Sequence, residues 1–207
     1  MLSFFYLRAE FPMTFRQMAE LQVRDRFLQP GARWHMGSDC HSLMNPTTRN
    51  WLLDRGSLTR RLKLLSGNEF QVIPLRNEAG PPQPAECKLL ELETGAIGWT
   101  REVYLAGLGR PWVFARSIIT SLDREAGDSP LFGLGEVPLE TVLFGNAPYQ
   151  RSEIEVCRYM ENGQAGQQDA EPLWARRPIF RRQKNRILVQ EIFLPELWDE
   201  LRKTEFV

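Results

Sequence analysis

Three charged residues stand alone among apolar neighbours, in segments whose side chains alternate like those of β-strands. Arg101 is the single charge on its face of residues 99–105, and Arg116 is the single charge on its face of residues 112–118. Glu191 is also a lone charge between apolar residues of a later segment. A buried charge needs a partner, and arginine binds a carboxylate through two parallel hydrogen bonds. The three residues therefore indicate a pocket for a small polyanion.

The turn between the two arginine segments determines how the arginines face each other. If Leu108 and Gly109 form a two-residue turn, the hairpin places Arg101 directly opposite Arg116. Like charges in opposite positions destabilise a sheet unless buried acids or a ligand neutralise them. A ligand with two negative charges would satisfy both arginines, and Glu191 would hold a hydroxyl or transfer a proton. The alternative is a buried Arg–Glu ion pair that only fixes the strand register.

Two further charge clusters carry weaker signals. Residues 176–186 contain six cations, which we interpret as the solvated end of a hairpin rather than an anion funnel. We expect no nucleic-acid binding, because Phe180 is the only aromatic residue of this run and the net charge is zero. Arg151 and Glu155 share one face of a predicted strand. We favour their pairing with each other over an addition of Arg151 to the anion site.

Composition excludes several classes of protein. The chain has 207 residues, of which 43% are hydrophobic and 25% charged, as in a single globular domain. The three cysteines, Cys40, Cys87 and Cys157, are far apart, which fits a reducing cytoplasm better than a disulfide framework. The only histidines are His35 and His41, and the cluster Asp39-Cys40-His41 could bind a metal, but we favour a polar loop there and expect no metal. So few histidines also disfavour a Ser–His or Cys–His nucleophile. We expect neither a secretory signal nor a membrane segment.

The elements that must position the charged residues follow from hydrophobic periodicity. Helices are predicted at 14–28, from Asn50, at 57–67 with Ser57 as the N-cap, at 138–145 and at 195–203. Strands are predicted at 69–76, 87–93, 99–105, 112–120, 152–160, 174–180 and 186–194. Residues 162–172 are predicted to be a surface loop. Strands joined by hairpins, with few helices between them, indicate the α+β class with an antiparallel sheet.

Six stretches, in the same order along the chain, resemble the chorismate pyruvate-lyase family. They are WLLDRGSLTRRL (51–62), WTREVYLAGLGRPWVFAR (99–116), LGEVPLETVLF (134–144), RSEIEV (151–156), LWARRPIF (173–180) and LVQEIFLPE (188–196). The resemblance implies a single α+β domain at residues 49–207, an antiparallel sheet with helices that close an internal ligand cavity. Residues 1–48 would then be an N-terminal extension with one helix.

The resemblance also implies an activity and a set of site residues. The family converts chorismate to 4-hydroxybenzoate and pyruvate, the first committed step towards ubiquinone, without a metal or an organic cofactor. Its carboxylate-binding arginine falls on Arg101 and its ligand-binding glutamate on Glu191, the two expected catalytic residues. Main-chain contacts from two flaps fall on Leu58 and Leu139. If Arg101 binds the ring carboxylate of chorismate, Arg116 would bind the second carboxylate, on the enolpyruvyl group.

Two other functions are compatible with the same fold. One is a non-catalytic sensor domain that binds a small aromatic acid, as in bacterial transcription regulators. The other is a carrier of 4-hydroxybenzoate. About 50 residues precede the first matching stretch, too few for a winged-helix DNA-binding domain. We therefore expect a cytoplasmic lyase that acts as a monomer, with chorismate and 4-hydroxybenzoate as its small-molecule partners.

Overall fold

The structure is a computed structural model that describes residues 32–93, 95–120, 133–145, 148–159 and 173–204. The strands of these residues form one sheet in the order β1-β6-β7-β9-β4-β3-β2, with β8 between β9 and β5, and neighbouring strands run antiparallel. The strands are β1 (His35–Met36), β2 (Phe70–Gly80), β3 (Gly98–Gly107), β4 (Arg110–Ile119), β5 (Gln150–Arg151), β6 (Glu155–Tyr159), β7 (Leu173–Arg177), β8 (Ile179–Arg182) and β9 (Asn185–Phe193).

Helices accompany this sheet, which makes the fold α+β as predicted. A 3-10 helix covers Gly37–Leu43, and the α-helices are α1 (Pro46–Leu52), α2 (Leu58–Leu65), α3 (Pro84–Leu90), α4 (Glu140–Leu143) and α5 (Pro195–Thr204). The predicted cap of α2 is confirmed, because the Ser57 side chain accepts a hydrogen bond from the backbone N–H of Arg60. No helix of the described residues is both long enough and apolar enough to cross a membrane.

The segment predicted as an N-terminal extension is described only from residue 32. Within it, β1 pairs with β6, and Cys40 and Met44 belong to the hydrophobic core. These residues therefore pack onto the same sheet as the rest of the chain. The predicted helix at 14–28 and the predicted loop at 162–172 lie outside the described residues. The boundary after residue 48 stays a prediction.

The predicted strand at 87–93 is wrong, because most of it belongs to helix α3. Pro84 occupies the first turn, where its missing N–H costs nothing. The Glu86 side chain accepts a hydrogen bond from the backbone N–H of Gln83 at 2.8 Å, which satisfies one of the free donors at the helix start. Leu90 of this helix packs against Ile118 of β4 in one buried cluster. The capping interactions at the helix start thus favour a helix here, although a short apolar run with weak alternation of polar and apolar residues suggested a strand.

The β3–β4 hairpin has the predicted turn but not the predicted register. Leu108 and Gly109 both have positive φ, 53° and 72°, and Gly107 pairs with Arg110. Two residues later the register shifts. Ala106 pairs with Pro111 and Leu105 with Val113, which leaves Trp112 as the extra residue of a β-bulge.

At the bulge, the ring of Trp112 packs closely against Gly107 of β3. A Cβ atom added to Gly107 would lie 2.2 Å from the Trp112 ring, so the ring lies directly over this glycine. Trp112 is 1% exposed and belongs to the largest core cluster. Because side chains alternate along a strand, one extra residue moves every later side chain of β4 to the opposite face of the sheet.

Each face of the sheet carries its own part of the core. Helices α2 and α5 cover one face, where Leu62 and Leu197 pack with Val103 of β3 and Phe193 of β9. The opposite face holds a second cluster around Phe114 of β4, and α3 packs nearby. Both faces of β9 are covered, as predicted, since every residue from position 187 to position 193 is buried. The cavity described below lies on the face of α2 and α5.

Candidate active site

An internal cavity lies between the sheet and two segments that fold over it. Its volume is about 60 Å³, measured as the space open to the centre of a water molecule. Strands β3, β4 and β9 form its floor, and most of its wall is apolar. We call residues 54–59 the first flap and residues 133–144 the second flap. The charged side chains that line the cavity are Arg101, Glu140, Arg151, Arg176 and Glu191.

Arg101 enters the cavity from β3, as predicted, and is 3% exposed. Its Nη2 donates to the backbone oxygens of Gly135 and Val137 in the second flap, each at 3.0 Å. Burial lowers the pKa of the Arg101 guanidinium to about 10, which leaves it charged at neutral pH. Within the described residues, no carboxylate forms an ion pair with Arg101. The site therefore holds a buried cation that is fixed by neutral acceptors.

Glu191 enters the cavity from β9, as predicted, and pairs with Arg176. The Arg176 Nε donates to Glu191 Oε2 at 2.5 Å. The Arg176 Nη1 donates to the backbone oxygens of Trp51 and Asp54, at 3.1 and 3.0 Å. The β7–β9 register places the two residues directly opposite each other. The arginine therefore orients the carboxylate and also attaches the sheet to the first flap.

Arg176 was not recognised from the sequence as a site residue, because it lies inside a run of cations. In the structure, neighbouring cations of this run point to opposite faces of the sheet. Arg177 points away from the cavity, donates to Glu155 at 2.7 Å and lies over the ring of Trp34. Alternation within β7 is the signal that separates the two arginines, since Arg176 shares its face with the apolar residue at position 174.

Arg151 also lines the cavity, and the favoured pairing with Glu155 is wrong. The predicted strand at 152–160 begins only at Glu155, and Arg151 belongs to the short strand β5, opposite Phe180 of β8. The Arg151 guanidinium lies 5.2 Å from the centre of the Phe144 ring and 4.9 Å from that of Phe180. Its Nη2 donates to the backbone oxygen of Gly56 at 3.3 Å. Among the described residues, its Nε and Nη1 are buried without a hydrogen-bond partner.

The two flaps meet above the cavity through Glu140. Its carboxylate accepts a hydrogen bond from the Ser57 hydroxyl and another from the side chain of Thr59. Burial raises the pKa of Glu140, an effect that Glu191 increases and that Lys63 opposes. Leu58 of the first flap and Leu139 of the second flap both line the cavity. Their main-chain contacts to a ligand, which the family resemblance implies, stay a prediction.

The predicted place of Arg116 in the site is wrong. The bulge at Trp112 pairs Arg101 with Ser117 and Arg116 with Glu102, so the two arginines lie on opposite faces of the sheet. Arg116 Nε donates to Glu86 Oε1 at 2.7 Å, and Arg116 Nη1 donates to Glu102. A buried ion-pair cluster, the alternative that the sequence left open, describes Arg116 correctly.

The described residues contain no group of three or more His, Cys, Asp or Glu side chains that could hold a metal ion. The side chains of the cavity offer their own chemistry. Guanidinium groups can bind carboxylates, Glu191 can accept a hydroxyl hydrogen or a proton, and the apolar walls exclude water.

Known proteins resemble this chain in fold and in sequence. A solved structure, the effector domain of PhnF from Mycobacterium smegmatis, shares the fold with a TM-score of 0.50 and 15% identity over 70% of this chain and 91% of that chain. The chain is 53% identical over 181 residues to a Pseudomonas putida protein named probable chorismate pyruvate-lyase, a match that covers 87% of this chain and 100% of the relative.

A second relative with the same name, from Pseudomonas aeruginosa strain UCBPP-PA14, is 43% identical over 82% of this chain and 94% of its own length. The sequence pattern of one family, described as chorismate lyase, matches residues 28–203. With most of its length inside that match, this chain belongs to the chorismate lyase family.

Proposed function

We propose that the protein is a chorismate pyruvate-lyase, which cleaves chorismate to 4-hydroxybenzoate and pyruvate. One observation carries the proposal: Arg101 is a buried cation without a carboxylate partner among the described residues, in the same cavity as Glu191. Relatives named probable chorismate pyruvate-lyase support it. A cation with neutral partners inside an apolar cavity is suited to a carboxylate that arrives with the ligand.

Arg101 binds the ring carboxylate of chorismate in this proposal. Its Nη2 already holds the second flap through Gly135 and Val137, so the flap closes around the same guanidinium that binds the substrate. Glu191 binds the ring hydroxyl with the carboxylate oxygen that Arg176 does not use. These two contacts define the direction of the ring between β3 and β9 and hold the substrate in a reactive conformation.

The reaction breaks the bond between the ring and the ether oxygen of the enolpyruvyl group. The ring carbon that bears the hydroxyl group loses its hydrogen as a proton, and the methylene carbon of the leaving group gains a proton and becomes the methyl group of pyruvate. The product ring is aromatic, which supplies a large driving force. Glu191 assists the proton transfer, and the closed flaps exclude water from the reacting atoms.

The flaps contribute main-chain contacts and closure. Leu58 is the first residue of α2, and its N–H lacks an acceptor within the helix, as do all first-turn donors. Leu139 lies before α4 in the second flap. We propose that the backbone of both leucines contacts the ligand, while their side chains complete the apolar wall.

The reaction requires no cofactor in this proposal and is the first committed step towards ubiquinone. We place it in the cytoplasm, supported by three cysteines that are free thiols in the structure. We also propose that the protein works as a monomer.

The decisive experiment mixes the purified protein with chorismate. It follows the absorbance of the aromatic product and measures pyruvate with a coupled lactate dehydrogenase reaction. We expect equimolar 4-hydroxybenzoate and pyruvate from the wild-type protein and no turnover from a folded Arg101→Ala variant. Tight binding of 4-hydroxybenzoate without any turnover would instead identify a sensor or a carrier and would refute the lyase. A variant with near wild-type kcat/KM would remove Arg101 from the mechanism.

A further inference from the structure

Two cations in the cavity have no carboxylate partner among the described residues. Arg176 is neutralised by Glu191, and the other two arginines of the cavity are Arg101 and Arg151. We propose that Arg151 is the second carboxylate-binding residue of the site, specific for the carboxylate on the enolpyruvyl side chain of the substrate. The inference rests on the proposed function, since it assigns the second negative charge of that substrate.

The guanidinium group of Arg151 has hydrogen-bond donors that are free to bind an anion. Its Nη2 is used by the backbone oxygen of Gly56, but its Nε and Nη1 are buried with no partner in the described part of the chain. The rings of Phe144 and Phe180 hold the guanidinium plane in place. Nε and one Nη are the pair of donors that arginine uses to bind a carboxylate with two parallel hydrogen bonds.

The electrostatics of this position lead to the same conclusion. The pKa of Arg151 is lowered, first by burial and then by repulsion from Arg176, whereas Glu191 acts in the opposite direction. Arg55 and Asp54, both in the first flap, add smaller effects of opposite sign. Arg151 is half-buried, and a cation that is partly removed from water next to another cation gains more from a bound anion than a fully exposed cation does, because the lower dielectric strengthens the attraction.

The charges of substrate and product give Arg151 a role in selectivity. Chorismate carries two carboxylates, which match two unpaired guanidinium groups. The product 4-hydroxybenzoate retains only the ring carboxylate, because the second carboxylate leaves with pyruvate. Arg151 therefore favours substrate over product, whereas Arg101 binds both. After cleavage, Arg151 again lacks a partner, and this favours exchange of the product for a new substrate molecule.

Other arginines near the site do not meet these conditions. Arg116 lies on the opposite face of the sheet and pairs with two acids. Arg177 pairs with Glu155 outside the cavity, which makes Arg177→Gln a matched control for the loss of one cation.

The experiment compares wild-type protein with Arg151→Gln, Arg151→Lys and Arg177→Gln. It measures KM and kcat with chorismate and the inhibition constant of 4-hydroxybenzoate. For Arg151→Gln we expect KM to rise about 10- to 100-fold, the usual effect of losing hydrogen bonds to a charged group, while the inhibition constant changes less than about threefold. Arg151→Lys keeps the charge and should give an intermediate KM. An unchanged KM in folded Arg151→Gln, or an equal rise in both constants, overturns the proposal.

A binding experiment separates this inference from the proposed function. Calorimetry measures the affinity of each protein for 4-(carboxymethoxy)benzoate, which has two carboxylates, and for 4-methoxybenzoate, which has one. We expect the wild type and Arg177→Gln to prefer the dicarboxylate, and Arg151→Gln to lose that preference. If the wild type does not cleave chorismate but shows this pattern, the lyase function fails and the second carboxylate site stands. If the wild type shows no preference, the second site fails whatever the activity.

Discussion

Arg176 and Glu191 form a buried pair in which the arginine Nε lies 2.5 Å from the glutamate Oε2. Their side chains are 3% and 12% exposed. The same guanidinium also donates hydrogen bonds to three backbone carbonyls at the start of the first flap and just before it, those of Trp51, Leu52 and Asp54. The pair therefore couples the orientation of a proposed catalytic carboxylate to the position of a flap.

Loss of Arg176 should destabilise the protein strongly. Arg176→Met leaves Glu191 buried without its cation, for which we expect a decrease of about 3–5 kcal/mol in the free energy of unfolding. Arg177→Met is the matched control, because this neighbour pairs with Glu155, whose side chain is 31% exposed. We expect the control to cost about 1 kcal/mol or less. Urea denaturation measures both values, and equal midpoints for the two variants would contradict this account.

Part of the site could be predicted from local sequence because local rules decide it. The burial of Glu191 could be predicted, because both faces of its strand are apolar. The positive φ at Leu108 and Gly109 follows from the short connection between two strands. Arg101 precedes the bulge and so keeps its predicted place. The places of Leu58 and Leu139 came from the family resemblance and not from periodicity.

The remaining features depend on contacts between distant parts of the chain. Trp112 is apolar and fits either face of β4, so alternation alone gives no sign of the bulge that moves Arg116. Arg151 lies in a strand of two residues, which is too short to show any period. Its place is determined by pairing with β8 and by the rings of Phe144 and Phe180.

Removal of Arg116 should reduce stability without affecting the site. Arg116→Met leaves Glu86 and Glu102 buried together, and we expect a loss of about 3–5 kcal/mol in the free energy of unfolding. A triple variant, Arg116→Met with Glu86→Gln and Glu102→Met, removes all three charges, keeps an acceptor for the Gln83 N–H and should recover most of this loss.

The kinetic measurement tests the corrected position of Arg116. Both variants should keep the wild-type KM for chorismate within about threefold, because the cluster lies on the face opposite the cavity. A tenfold rise in KM for the folded triple variant would mean that Arg116 contributes to substrate binding after all.

The bulge depends on the absence of a side chain at position 107. Gly107→Ala places a Cβ atom inside the ring of Trp112, which must move, and we expect a cost of about 1–3 kcal/mol. Gly133→Ala is the control, because an added Cβ atom there meets no atom within 4 Å and φ is not positive. Its effect should stay within about 0.5 kcal/mol. Thermal melting of both variants checks the difference, and a Gly107→Ala variant as stable as Gly133→Ala would contradict it.

Ionisation of the Glu140 carboxyl should lower the stability of the folded protein, because burial disfavours its charged form. Burial raises the pKa of this carboxyl above its ordinary value of 4.5, so the folded protein binds the proton more tightly than the unfolded chain does. Stability that comes from protonated Glu140 is thus lost as the pH rises from 4.5 towards the raised pKa. Glu140→Gln keeps an acceptor for Ser57 and Thr59 and cannot ionise.

The difference in Tm between Glu140→Gln and the wild type should therefore grow in favour of the variant between pH 4.5 and pH 7. Differential scanning fluorimetry across this range measures it. Glu136→Gln removes an exposed carboxyl from the same flap and controls for the change in flap charge. A Tm difference that is the same at both ends of the range, or that falls as the pH rises, would mean that folding does not raise the pKa of Glu140.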